Sequence, residues 1–147
     1  LSRFPSGVTV VTTKDAAGNL HGITVSAFCS VSLVPPMVLI CIERTTASHV
    51  SFSESGGFAV NVTTKTTQKP RALLPTPAQD ELSDGECHHG SDGGPVLRHA
   101  LANIECRLKH TYHGGDHTIF VGLVENVTIG EGDPLVYFHH DYAGVKR

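Results

Sequence analysis

Apolar residues with strand-like spacing dominate the chain. Residues 8–13 are β-branched and end before the turn-rich sequence KDAAGNL, which together predict the first half of a hairpin. Residues 37–42 are continuously apolar and predict a strand buried on both faces. Further strands are predicted at residues 58–62, at 100–113 with Ile104, Cys106 and Leu108 inward, at 117–130 with a break near Gly122, and at 133–142.

The segment GITVSAFCSVSLVPP, residues 22–36, alternates between two kinds of side chain. One predicted face carries Thr24, Ser26, Phe28, Ser30 and Ser32, and the opposite face is apolar. The segment is long for one strand, so we expect a bend or bulge near Cys29. Small hydroxyls around an aromatic ring suit a flat heteroaromatic ligand. The residues alone leave an ordinary solvent-facing strand equally open.

Few helices are expected beside these strands. Thr45, Thr46 or Ser48 is suited to cap a short helix that ends at Gly56 and Gly57. A weaker helical pattern covers residues 65–74, and residues 75–95 have the composition of a long surface loop with at most a turn of helix. Six or more strands with so few helices favour a closed or nearly closed antiparallel barrel.

Composition narrows the class of protein. The 147 residues are 39% hydrophobic and 17% charged, which predicts one globular domain over residues 1–147. The net charge of −3 and the absence of a membrane-length apolar run argue against nucleic-acid and membrane partners. The four cysteines form no C-x-x-C pair, so we expect reduced, mostly buried thiols in a cytoplasmic protein.

Two short segments carry candidate chemistry. Residues 44–48, RTTAS, are suited to hold a phosphate with hydroxyls and an arginine, although a simple helix cap explains them as well. His117 follows a tight turn and is either part of a surface hairpin or a histidine at the mouth of a ligand site. The chain has no dinucleotide fingerprint, no nucleophile elbow and no metal-ligand spacing, so we expect no metal.

Six segments together resemble the short-chain flavin reductase family. They are FPSGVTVVTT, GITVSAFCSVSLVPPMVLICI, FAVNV, GGPVLRHALANIEC, GDHTIFVGLVENV and DPLVYFHHDY, and they follow one another from Phe4 to Tyr142. The resemblance implies a six-stranded antiparallel Greek-key split β-barrel, mainly β, in a homodimer. It also implies NAD(P)H-dependent reduction of FMN or FAD by hydride transfer to flavin N5. The reduced flavin would go to a partner monooxygenase.

The resemblance also assigns individual residues. His117 would act at the nicotinamide, with Tyr142 nearby, and Asn61 falls at a flavin-side strand end. The segment ALLPTP and the 75–95 loop depart from the family pattern, so Gln68, Lys69 and Arg71 receive no role. The implied flavin contacts are Thr24, Val25, Ser26, Ala27, Phe28, Ser30, Val31 and Ser32 for the ring region, and Thr45, Thr46, Ser48 and His49 for the phosphate end.

Two other functions stay open on the sequence. The first is a flavin-binding electron carrier that does not turn over nicotinamide, and the second is an inactive interaction domain. The same barrel would serve either of them, and the sequence does not separate FMN from FAD or NADH from NADPH.

Overall fold

The protein is mainly antiparallel β-structure. A computed structural model describes residues 1–66, 87–90 and 94–146. These residues form one short helix, α1 (His49–Glu54), and twelve strands. The strands are β1 (Ser6–Gly7), β2 (Thr9–Lys14), β3 (Leu20–Val25), β4 (Phe28–Leu33), β5 (Pro36–Glu43), β6 (Gly57–Val62), β7 (Cys87–His89), β8 (Pro95–Leu97), β9 (Ala102–Gly114), β10 (His117–Ile129), β11 (Leu135–Phe138) and β12 (Asp141–Gly144).

The two edge strands of the main sheet are linked to each other by a very short connection. Its seven strands run in the order β3-β2-β6-β9-β10-β5-β4, and every adjacent pair is antiparallel. The edge strands β3 and β4 are consecutive in the chain, and only Ser26 and Ala27 separate them. Because two residues span only about 7 Å, the sheet has to curl until its edges meet.

The inner face of this curled sheet holds the hydrophobic core. Ile40 and Phe120 are 0% exposed and pack with residues from β2, β3, β6 and β9. Phe52 brings α1 onto the same cluster. The predicted inward residues of β9 are confirmed, since Cys106 is buried in this core and Ile104 and Leu108 pack against it.

The strand β10 is continuous, and a shift of register takes the place of the break expected near Gly122. The β9–β10 register shifts between Val121 and Gly122, and again between Val124 and Asn126. A side chain at Gly122 would place its Cβ 2.6 Å from Cβ of Cys106 and 2.6 Å from Cζ of Phe58. Glycine is therefore required here because the core packs directly against the backbone.

The remaining elements correct some of the expectations. The helix α1 ends as predicted, with Gly56 at φ 76°. The strand β7 forms within the segment expected to be a loop, because it pairs with β8. Residues 67–86 and 91–93, which include most of the weak helical pattern at 65–74 and most of the 75–95 loop, lie outside the described residues. The strand β5 is buried on its inner face only, and its outer face is half-buried.

A small sheet of order β1-β11-β12 closes one end of the molecule. The Leu135 amide donates to the Thr63 carbonyl, which attaches this sheet just beyond the last residue of β6. In the described part of the chain, no helix has the length and apolar character needed to cross a membrane.

Candidate active site

The connection between β3 and β4 is an exposed backbone corner. The Phe28 amide donates to the Ser26 carbonyl at 3.0 Å, which reverses the chain over three residues. The Ala27 carbonyl accepts from the Cys41 amide at 3.1 Å, which fixes the corner to β5. Ser26 and Ala27 are both exposed. This corner, Ser26 and Ala27, therefore presents a hydroxyl and backbone groups on a rigid support.

The corner also changes which side chains face the core. Val25 is buried before the corner, and Phe28 packs against the core after it. The expected ligand-facing position of Phe28 is therefore wrong. The corner interrupts the alternation of inward and outward side chains, so Phe28 faces the core as Val25 does. Cys29, Val31 and Leu33 were expected on an apolar inner face, but they are exposed. The register explains this, because Phe28 pairs with the buried Ile40 whereas Cys29 pairs with Leu39 on the outer face of β5.

The irregularity predicted near Cys29 is confirmed, and it occurs at two places, one on each side of that residue. The first is the corner, and the second is a register shift in the β4–β5 ladder between Ser30 and Ser32, where Val31 bulges. Cys29 itself pairs regularly with Leu39. Ser30 and Ser32 lie roughly 10 and 17 Å along the strand from Ala27. They belong to the same edge but not to the immediate surroundings of the corner.

Residues 44–48, hereafter the 44–48 loop, join β5 to α1. Thr46 donates its hydroxyl to the Glu43 carbonyl at 2.8 Å, and Thr45 is exposed. Ser48 occupies the N-cap position but makes no side-chain capping bond, so the simple capping role is not observed. Arg44 is exposed at the start of the loop. The loop therefore offers hydroxyls and one cation close to the end of the sheet.

His117 begins β10 beside this loop. It pairs with Glu43 across the β5–β10 ladder, and the Arg44 amide donates to the Asp116 carbonyl at 2.9 Å. The His117 Nδ1 lies 2.7 Å from Asp116 Oδ1. This hydrogen bond to His117 lowers the pKa of Asp116 below its usual value. The carboxylate therefore stays charged and holds the imidazole in one orientation.

The corner, the 44–48 loop and His117 lie at one end of the sheet. Ala27 is tied to Cys41 in β5, and two residues later Glu43 pairs with His117 in β10. Neighbouring strands are about 4.8 Å apart, so β4 and β10 flank β5 within roughly 10 Å of each other. The predicted residues brought together here are Ser26, Ala27, Thr45, Thr46, Ser48, His49 and His117, with Thr24 half-buried at the end of β3.

Asn61 does not belong to this site. It is 0% exposed, and its amide nitrogen donates to the Val10 carbonyl and the Thr12 hydroxyl. Its amide oxygen accepts from the Leu97 amide and from the Asn103 side chain. All of its hydrogen-bonding capacity serves to join β2, β6, β8 and β9. The expected flavin-side role of Asn61 is therefore corrected to a structural one.

Tyr142 lies at the opposite end of the chain's main sheet. Its ring packs against Tyr137 with centroids 5.4 Å apart in the small β1-β11-β12 sheet. The small sheet is attached just beyond Val62, the last residue of β6. Val62 pairs with Ala102 on β9, and Ala102 also pairs with Ile129, the last residue of β10. Since His117 and Ile129 are the two ends of β10, one chain does not bring Tyr142 to His117.

Two neighbours of the site were not singled out from the sequence. Asp116 orients His117, and Thr118 bonds His49. Arg44 was a candidate phosphate contact, and its backbone amide also joins the loop to the turn before β10. The sequence feature that could have identified Thr118 is its hydroxyl at an inward position of a strand, directly after His117. A buried hydroxyl at such a position needs a specific partner.

A cavity of about 470 Å³ lies elsewhere and contains none of the predicted site residues. Its lining includes four carboxylates, Asp15, Glu54, Glu105 and Glu125, against the cations Lys14 and Arg107. The excess of carboxylates over cations in this cavity disfavours binding of an anionic nucleotide.

Among residues 1–66, 87–90 and 94–146, no cluster of three His, Cys, Asp or Glu side chains is placed to hold a metal ion.

Comparison with known proteins decides the family. Residues 1–146 match the model of the flavin reductase like domain. The chain belongs to the flavin reductase-like family. Similar members of this family include a flavin reductase (NADH) from Kitasatospora aureofaciens, which is 39% identical over 97% of this chain and 77% of that protein.

Other family members act with an oxygenase or a halogenase. The reductase component of a 4-nitrophenol 4-monooxygenase/4-nitrocatechol 2-monooxygenase from Rhodococcus opacus is 35% identical over 94% of this chain and 74% of that protein. Among solved structures, BorF, the flavin reductase component of a bacterial two-component tryptophan halogenase, superposes with a TM-score of 0.89. It is 36% identical and the match covers 99% of this chain and 94% of that chain.

Proposed function

We propose that this chain catalyses NAD(P)H-dependent reduction of FMN or FAD and supplies the reduced flavin to a partner monooxygenase. The observation that carries the proposal is the meeting of the corner, the 44–48 loop and His117 at one end of the sheet in a flavin reductase-like chain. The relatives named as NADH flavin reductase and as a monooxygenase reductase component support NADH as donor and a monooxygenase as partner.

The residues at this end of the sheet fit a flavin by the chemistry of their donors. Ser26 offers a hydroxyl and the corner offers exposed backbone, which suit the carbonyl and nitrogen edge of a flat ring. Arg44 and the hydroxyl of Thr45 are exposed in the loop and suit the phosphate end. The acidic cavity lined by Glu54, Glu105 and Glu125 offers no comparable set.

When bound, flavin accepts a hydride from the nicotinamide, and this chemistry belongs to the two rings. The chain therefore needs no nucleophile. Its task is to hold the rings in contact and to place hydrogen-bond donors where negative charge increases on reduction. We assign the ring-side donors to the corner and the phosphate contacts to the 44–48 loop. We assign Thr24, Ser30, Val31 and Ser32 to the adjoining edge of the site, which Phe28 supports from the core side.

We assign His117 to the nicotinamide side. Its ring is partly exposed, with 41% of the side chain accessible, and Asp116 fixes its orientation. An imidazole held in this way can donate or accept a hydrogen bond at Nε2 and stack against a ring. Val25 is buried, and its carbonyl accepts from the Thr9 hydroxyl, so it supports the corner rather than contacting a ligand.

We further propose a homodimer of Greek-key split barrels, each formed by residues 1–147 as one domain, in the cytoplasm. The main sheet has seven strands where six were expected. Leu33 and Val34 are 88% and 92% exposed at the β4–β5 hairpin, and Ile129 is 76% exposed at the end of β10. Exposed apolar side chains of this kind favour burial against another chain. Within one chain, Tyr142 and His117 lie at opposite ends of the main sheet. A role for Tyr142 at the nicotinamide therefore requires that it come from a second chain.

A turnover assay tests the function. Purified protein is mixed with NADH or NADPH and with FMN or FAD, and oxidation of the reduced nicotinamide is followed in each of the combinations. Rapid oxidation that depends on flavin is the expected result. A protein that binds flavin without turnover would instead be the electron carrier. A protein that binds no flavin would be an interaction domain, and either result would overturn the proposal.

A further inference from the structure

The 44–48 loop is held at both ends by the residues that flank His117. At its start, the Arg44 amide donates to the Asp116 carbonyl at 2.9 Å. At its end, His49 Nε2 lies 2.7 Å from the Thr118 hydroxyl oxygen. Asp116 and Thr118 are the residues immediately before and after His117. The loop is therefore fixed to the beginning of β10 by two hydrogen bonds on either side of this histidine.

The contact between His49 and Thr118 is specific and partly buried. Thr118 is 5% exposed, and it pairs with Ile42 on β5 and His113 on β9. Its hydroxyl faces the side of the sheet on which α1 packs. The His49 ring also lies 5.7 Å from the ring of Phe120, which is 0% exposed. His49 is thus fixed by ring packing and by a hydrogen bond at the same time.

A largely buried hydroxyl such as that of Thr118 is destabilised when it loses its hydrogen-bond partner. Loss of the His49–Thr118 bond would free the end of the loop and remove a side-chain restraint on the second residue of β10, whose backbone stays paired with Ile42 and His113. The side chain of His117 faces the opposite surface of the same strand. Its position would change through the backbone, with no direct contact to His49.

We propose that His49 and Thr118 are positioning residues that hold the 44–48 loop and His117 in one fixed arrangement. This inference rests on the proposed function, in which the loop holds the phosphate end of flavin and His117 serves the nicotinamide. It refines the role of His49 from a flavin contact to a link between the two halves of the site. Occupation of the loop then favours the orientation of His117 that productive nicotinamide binding needs.

Matched substitutions separate this role from simple packing. His49→Phe retains a ring against Phe120 but removes the nitrogen, and His49→Gln restores an amide near the position of Nε2. Thr118→Val keeps the shape of the side chain but removes the hydroxyl, and Thr118→Ser restores it. We expect His49→Phe and Thr118→Val each to lower kcat/KM for NADH about tenfold at saturating flavin. We expect His49→Gln and Thr118→Ser to stay within about threefold of the unmodified chain.

The double variant His49→Phe/Thr118→Val supplies the decisive kinetic comparison. Because both changes remove the same bond, the double variant should be no slower than the slower single variant. Independent losses of about a hundredfold in total would show that the two residues act separately and would overturn the proposal. Thermal unfolding of each variant shows whether the kinetic loss occurs in folded protein.

A second readout does not depend on turnover. Nitrogen-15 NMR of histidine-labelled protein reports the ring environment of His117, which His117→Ala identifies by loss of its signal. We expect His49→Phe and Thr118→Val to shift this signal, and Thr118→Ser to leave it close to that of the unmodified chain. An unchanged His117 signal in both disruptive variants would overturn the positioning role. If the unmodified chain does not oxidise NADH with flavin, the proposed function fails, and the NMR result still tests the link between His49 and His117.

Discussion

The Nδ1 nitrogen of His117 lies 2.7 Å from the Oδ1 oxygen of Asp116, its immediate neighbour in the chain. His117 is the first residue of β10, and Thr118 and Phe120 of the same strand are buried, so the backbone that carries the imidazole is rigid. Asp116 is largely exposed and its pKa is lowered, chiefly by the hydrogen bond to His117. The arrangement therefore orients a ring at the surface and contributes little to folding.

Removal of this carboxylate should affect catalysis more than stability. We expect Asp116→Ala to lower kcat/KM for NADH about tenfold, because the His117 ring loses its orienting partner. The urea midpoint should stay unchanged, since exposed ion pairs stabilise proteins only slightly. Steady-state kinetics and urea unfolding on the same preparation check both statements. A variant with normal kinetics would show that Asp116 does not orient His117 for the reaction.

The close packing at Gly122 predicts a loss of stability on adding one methyl group. Gly122→Ala should cost about 1–3 kcal/mol, because its Cβ would lie 2.6 Å from atoms of both Cys106 and Phe58. Gly7→Ala is the control, since no atom lies within 4 Å of the added Cβ and its φ is not positive. Urea unfolding of both variants provides the measurement. Equal stability of the two variants would contradict the packing described for β10.

Asn61 should behave as a structural residue. Asn61→Ala leaves the Leu97 amide and the Asn103 side chain without their acceptor, so we expect a loss of about 2–4 kcal/mol in the free energy of unfolding. Asn19→Ala, at an exposed hairpin amide, should cost less than about 1 kcal/mol. Flavin affinity of the folded Asn61→Ala protein should stay normal. A weakened affinity without a change in stability would restore Asn61 to the flavin site.

Acid should weaken the β2–β3 hairpin in a defined range of pH. The hydrogen bond from His21, with those from Asn19 and Ala17, lowers the pKa of Asp15 from 3.8 to about 2. Since the folded pKa is the lower one, the stabilisation is complete above about pH 4 and is lost as the pH falls towards 2. Asp15→Asn should therefore be less stable than the unmodified chain at neutral pH, and the difference should disappear as the pH falls through about 2. Urea midpoints across this range, at low salt, test the difference. A constant difference at all pH values would contradict the shift.

Most strands and some inward positions were accessible from the sequence because they depend on local periodicity. The inward set Ile104, Cys106 and Leu108 is observed, and an irregularity occurs at Gly122 as a shift of register. The face of Phe28 was not accessible, because the corner at Ser26 and Ala27 shifts the alternation by an amount that only the closure of the sheet determines.

The site residues also divide into those with a local sequence signal and those whose role depends on distant parts of the chain. His117 follows a turn that the residues GGD predict, and α1 begins and ends near its predicted bounds. The structural role of Asn61 depends on β8, which joins it from a distant part of the chain through Leu97. The separation of Tyr142 from His117 follows from the length of β10, which the sequence predicts, and from the attachment of the small sheet, which has no local signal.

The central claim is that the corner and His117 together serve hydride transfer to flavin, and anaerobic single-turnover kinetics test it most directly. Flavin-loaded protein is mixed with NADH, and the bleaching of oxidised flavin is followed for the unmodified chain, Ser26→Ala, His117→Ala and the exposed control His88→Ala. We predict flavin reduction by the unmodified chain and by the control at the same rate. Ser26→Ala and His117→Ala should be slower by about tenfold or more with unchanged thermal stability. Rates for Ser26→Ala and His117→Ala equal to that of the unmodified chain would contradict the account.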